Sequence, residues 1–149
     1  LDAGERSVIG ALSRDHRRIA GLLQKLCAVR DADERRRLVE EMTGELMRHA
    51  HVEDLFLYPV VRGIVVEKDA DVTLKVNAHD QINRLLTELA RSEVDSYRFD
   101  VLVTRLVCAV SDEVRHEERE VFPWLAHCAG RRTLIALGDQ VRAFGDTRP

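Results

Sequence analysis

Little in this 149-residue chain breaks helices or cross-links them. It contains only three prolines and eight glycines, too few for the turn-dense course of an all-β domain and suited to long helices. No apolar run approaches the ~20 residues of a membrane-spanning helix. Nothing at the N-terminus has the pattern of a signal peptide, although residue 1 is Leu rather than Met. The cysteines, Cys27, Cys108 and Cys128, are odd in number, far apart and without a CxxC pair. Neither a disulfide framework nor a thiolate metal site is therefore expected. Reduced thiols in a cytoplasmic protein are the simple expectation, with Cys27 and Cys108 as packing residues. Lys and Arg are dispersed and the formal net charge is −3, which argues against nucleic acid or an anionic membrane as partner. No Ser-His-Asp ordering, phosphate-binding glycine loop or basic-aromatic patch is present either.

What is present is helical periodicity. A hydrophobic content of 45% against 33% charged residues is the balance of a globular domain with solvated outer faces, and the length fits one domain over 1–149. Ile9, Leu12, Ile19, Leu23 and Leu26 mark one face of a first helix from about Ser7 to Arg30. A second begins near Asp33 as N-cap and carries Val39, Met42, Leu46, His49, Glu53 and Phe56, ending or kinking at Pro59. A third starts at Asp69–Asp71 and carries Val72, Val76, Ile82, Leu86 and Leu89. After a polar turn at 92–96, a fourth carries Phe99, Leu102, Leu106, Val110, Glu113, Glu117, Val121 and Trp124. Short connections make an all-α, up-down-up-down antiparallel four-helix bundle the natural topology, with a short additional C-terminal helix over 133–144.

All four stripes are interrupted by ionisable residues where apolar ones belong. His16 and His79 fall early in helices one and three; the His49/Glu53 and Glu113/Glu117 pairs fall late in helices two and four. Antiparallel packing brings these positions to one level. Burying such groups costs several kcal/mol unless they are paired or bound to a cation, so a metal is expected.

At ~100° per residue, His49 and Glu53 bracket the inner face of the second helix, while His51 and Asp54 point away. On the fourth helix Glu117 lies at the stripe centre with Glu113 beside it, and His116 stands ~100° off. His116 still forms an E-x-x-H pair with Glu113, a spacing used in di-iron bundles, and an H-x-x-x-E pair with Glu120, so it is retained as a reserve ligand. Imidazole and carboxylate without thiolate favour iron, manganese or zinc.

The two segments RHAHVEDLFLYP (48–59) and DEVRHEEREVFP (112–123) both end in aromatic-Pro. Together with SRDHRRI and NAHDQINRLL they give the chain a pattern that resembles the hemerythrin-like (HHE cation-binding) family over residues 8–125. That family is a four-helix bundle with His, His-x-x-x-Glu, His and His-x-x-x-Glu on successive helices. The resemblance assigns ligand roles to His16, His49, Glu53 and His79. The fourth helix departs from it: Glu113 stands where the family usually has His. What the resemblance implies is a centre of two non-haem iron ions, oxo- or hydroxo-bridged, with zinc or manganese as weaker alternatives. Its reactants would be a small diatomic ligand (O₂ or nitric oxide) or peroxide. An extra carboxylate stabilises the ferric state, which favours catalase-like or ferroxidase-like oxidation and iron handling over reversible O₂ carriage. Tyr58 is read as a packing aromatic or a relay to the metal. The alternatives are a regulatory or structural bundle holding zinc or no metal, and a plain bundle with a buried ion-pair network. The second predicts Arg or Lys among the inner carboxylates, and the pattern has none.

Overall fold

Capping chemistry sets where the helices start. The computed structural model describes residues 2–64 and 69–146, with the backbone alone at 3, 69–77 and 146. All its regular structure is helical: α1 (Ala3–Arg6), α2 (Val8–Ala28), α3 (Ala32–Val52), α4 (Tyr58–Ile64), α5 (Asp69–Arg91), α6 (Tyr97–His116), α7 (Phe122–Cys128) and α8 (Arg131–Asp146). The Ser7 hydroxyl caps α2 by accepting from the Gly10 N–H at 3.1 Å, and Ser96 caps α6 through the Phe99 N–H at 3.1 Å. The cap of α3 is Asp31, accepting from the Glu34 N–H at 2.9 Å, rather than the expected Asp33. Asp33 lies in the first turn instead, where its charge still suits the helix dipole.

The long helices pack in a ring, α2 on α3, α3 on α5, α5 on α6 and α6 back on α2, giving the expected antiparallel bundle. The C-terminal α8, longer than the anticipated 133–144, lies along α2. Gly138 permits this approach, because a Cβ there would fall 1.9 Å from the Arg6 carbonyl oxygen.

Two features lie beyond simple periodicity. Between α3 and α4 the chain makes a π turn, Glu53–Leu57, and between α6 and α7 another, Glu117–Val121. The cause is the proline two residues past each, Pro59 and Pro123, which has no N–H and crowds the preceding turn. Each π turn closes with Tyr58 or Phe122 donating to the carbonyl of Glu53 or Glu117. The proline is thereby left in the first turn of a new helix, where the missing donor matters little. One extra residue per turn also retards the apolar stripe. Phe56 and Trp124, expected on the inner face, are only partly buried; Leu57, Tyr58, Val61, Phe122 and Leu125 take the core positions.

The apolar interior is split in two. One core holds Ile19, Leu23, Met42, Leu46, Ile82, Leu86, Phe99, Leu106 and Val110. The other holds Val8, Leu12, Val52, Leu57, Tyr58, Val61, Phe122 and Leu125, with Leu134 and Val141 of α8. Several expectations are corrected at the edges. The chain does not end its helix at Pro59 but kinks there and stays helical as far as Ile64; the side chains of Val72 and Val76 lie outside the described residues. Cys27 and Cys108 are exposed, like Cys128. They follow buried Leu26 and Leu106 by one and two residues, which turns them ~100–200° off the stripe.

Candidate metal centre

Between the two cores lies a polar layer. His16 sits between Leu12 of one core and Ile19 of the other, and His49 and Glu53 between Leu46 and Leu57. Glu113 and Glu117 lie between Val110 and Val121, and His79 precedes Ile82. The π turns begin at Glu53 and Glu117, so each carboxylate projects from the point where its helix changes pitch, a common setting for functional residues.

Donor atoms of His16, His49, Glu53 and Glu117 all lie within 4.8 Å of one another, and those of Glu53, His79 and Glu113 form a second such group. Glu53 belongs to both. Its Oε1 is 2.9 Å from His49 Nε2 and its Oε2 is 3.2 Å from His79 Nε2. Glu113 Oε1 stands 2.8 Å from His79 Nε2, and Glu117 Oε1 stands 3.6 Å from His16 Nε2. Glu53 and Glu117 are 0% exposed.

Each of two histidines is held from behind by a carboxylate that the periodicity did not single out. His16 Nδ1 is 2.8 Å from Glu118 Oε1, and His49 Nδ1 is 3.3 Å from Asp15 Oδ2. Asp15 is itself buried and accepts from the Arg48 guanidinium. These contacts fix both rings with Nε2 facing the cluster, the usual arrangement behind ligating imidazoles. Phe122 stacks on His16 with ring centroids 5.6 Å apart and planes 8° from parallel. The Asp15-His16 and Glu117-Glu118 dipeptides were the available signal: each pairs an inward group with an acidic neighbour.

The electrostatics are those of a site built for positive charge. Burial alone would lower the His79 imidazole; Glu113 and Glu53 outweigh it and push His79 up to about 9. His49 goes well above its ordinary value, where burial is overcome by Glu53, Asp15 and Glu117. His16 rises for the same kind of reason, with Glu117 foremost. Asp15 moves down, because His49 and Arg48 together overcome the effect of its burial. Arg48 pairs with Asp15 behind the cluster, whereas the carboxylates of the two donor groups face imidazoles. His16 Nε2, His49 Nε2 and Glu53 Oε1 are buried yet make no hydrogen bond of normal geometry. Buried polar atoms of this kind call for a partner, and a cation between them satisfies all three. The donor set therefore fits a metal.

The other sequence candidates are placed away from the cluster. His116 is 35% exposed at its side chain and pairs with Glu120 at 3.3 Å on the outer face. His51 and Asp54 are exposed, as the helical wheel requires. A cavity of about 20 Å³ opens beside His49, His79, Glu113 and Glu117, with Asn83 and aliphatic side chains such as Ile19, Leu46, Ile82 and Val110 also on its wall. That volume holds roughly one water-sized molecule. Tyr58, one π turn beyond Glu53, has a buried hydroxyl with no hydrogen-bond partner. Burial, then the Glu53, Glu117 and Glu113 carboxylates, raise its pKa far above the ordinary phenol value.

The family model for the hemerythrin HHE cation-binding domain matches residues 7–125, and the chain belongs to that family. No curated protein and no solved structure matches the chain at significance.

Proposed function

We propose that this protein is a non-haem di-iron protein that reacts with O₂, peroxide or nitric oxide, inclined to oxidation and iron handling rather than reversible O₂ carriage. One observation carries the reading: the two oxygens of the fully buried Glu53 face two different histidines, His49 and His79, from two donor groups. A carboxylate so placed would hold two cations at once. His16, His49 and Glu117 would hold one ion, His79 and Glu113 the other, and Glu53 both. Iron there would give electrons to a small oxidant, passing from the ferrous to the ferric state.

The chain's own residues do the rest. Asp15 and Glu118 hold the His49 and His16 rings and raise their basicity. Three carboxylates, Glu53, Glu113 and Glu117, stand against three imidazoles, so the site favours the more positive oxidised pair of cations. The cavity's size and largely aliphatic wall admit a diatomic or peroxide and exclude larger polar molecules. Tyr58, kept protonated beside the Glu53, Glu117 and Glu113 carboxylates, has a buried O–H without a hydrogen-bond partner.

The test is the absorption spectrum of protein expressed in iron-replete cells. Near-ultraviolet bands that bleach on reduction and return with O₂ or peroxide support the reading. A colourless protein loaded with zinc would replace it with a structural or regulatory bundle.

A further inference from the structure

Behind His49, on the face where α8 crosses α2 and α3, lies a cleft of about 390 Å³. Four arginines line it: Arg14 and Arg18 from α2, Arg48 from α3 and Arg142 from α8. Only two carboxylates, Asp15 and Glu45, face them there, leaving two positive charges in excess. Asp15 and Glu45 pair with Arg18 and Arg48, so the excess falls on Arg14 and Arg142. Arg14 is partly buried, and its guanidinium donates to the Glu5 backbone carbonyl at 2.8 Å; among the described residues it has no carboxylate. Arg142, 31% exposed, also bonds the Arg6 carbonyl at 2.9 Å and shares its one carboxylate, Asp139, with Arg6. Guanidinium groups with unused N–H donors in a concave, partly dehydrated wall match the planar faces of a phosphate or similar oxyanion. A cleft with net positive charge also concentrates such ions.

We propose that this cleft is an oxyanion site for a phosphate-class dianion, and that it communicates with the candidate metal centre. The connection is short and continuous. Arg48, 12% exposed at its side chain, donates to Asp15 Oδ1, and Asp15 Oδ2 holds His49 Nδ1 at 3.3 Å. An anion that draws Arg48 toward the cleft withdraws positive charge from Asp15. Asp15 then leans harder on His49, and the imidazole becomes a stronger donor on its other nitrogen. The site itself is independent of any metal; only this coupling rests on the di-iron reading.

Titration of the metal-free protein with inorganic phosphate, followed by calorimetry against sodium chloride of equal ionic strength, tests the site directly. Saturable binding at millimolar phosphate is expected, weakened by about tenfold or more in the Arg14→Gln/Arg142→Gln double variant and unchanged in Lys25→Gln. No saturable binding, or binding indifferent to the double substitution, overturns the site. The coupling is read on iron-loaded protein as a phosphate-induced shift of the near-ultraviolet bands. That shift must vanish in the double variant; one that persists there marks phosphate acting on iron itself and overturns the coupling. Failure to load iron ends the metal reading but leaves the calorimetric result standing.

Discussion

Glu53 and Glu117 are wholly buried, and each is the first residue of a π turn that leads into an aromatic-Pro pair. The two carboxylates thus enter the bundle from α3 and α6 in matching ways. They are not equivalent, however. Glu53 meets both donor groups, whereas Glu117 belongs to the group of His16 and His49 alone.

This asymmetry predicts different metal stoichiometries. Glu53→Gln should weaken both ions by about tenfold or more. His79→Ala should abolish one ion and leave the other held by His16, His49 and Glu117. Elemental analysis after dialysis, with circular dichroism to verify helicity, separates the two variants. Equal loss in both would contradict the sharing of Glu53.

The raised histidines predict opposite pH trends with and without metal. Without metal, His16, His49 and His79 bind protons more tightly folded than unfolded. The stability this provides is fully present below the unfolded imidazole value of ~6.5. It is lost as pH rises toward about 9, the folded value of His79. Cations compete with those protons, so metal affinity should rise across the same interval. Urea denaturation of apoprotein and metal titration, each at several pH values, check both signs.

The carboxylates behind the histidines should differ in weight. Asp15 is 7% exposed at its side chain and tied to Arg48, while Glu118 is 46% exposed. Asp15→Asn should lower metal affinity by about 10–100-fold. Glu118→Gln should cost less, because water can replace an exposed acceptor. Competition with a chelator measures both; an equal or reversed order would show that burial does not govern these contacts.

Tyr58→Phe removes a buried hydroxyl that has no hydrogen-bond partner. Metal-free protein should therefore be unchanged or stabilised, by up to ~1 kcal/mol. Iron content should stay the same while reoxidation by peroxide slows, which stopped-flow absorbance would register. A loss of iron instead would make Tyr58 a ligand or a support for one.

Much of this arrangement was legible in the sequence because helical periodicity is strict. An ionisable residue on an apolar stripe must enter the core, and the i, i+4 spacing of His49/Glu53 and Glu113/Glu117 carried both pairs to one level. It also separated Glu113 from His116, which the structure leaves at the surface. The π turns were not legible from a wheel of fixed pitch, and Phe56 and Trp124 were displaced for that reason. Asp15 and Glu118 escaped because they lie about 100° from an inward neighbour and act between helices rather than along a stripe. Cys27 and Cys108 were assigned by residue type, and their angular position decided otherwise.

The most direct measurement is the number of iron ions per chain in purified protein from iron-replete cells, compared with the Glu53→Gln variant. About two per chain are expected in the wild type, with a large drop in the variant. One ion per chain, or two that survive the loss of the Glu53 carboxylate, would contradict a centre in which Glu53 serves both.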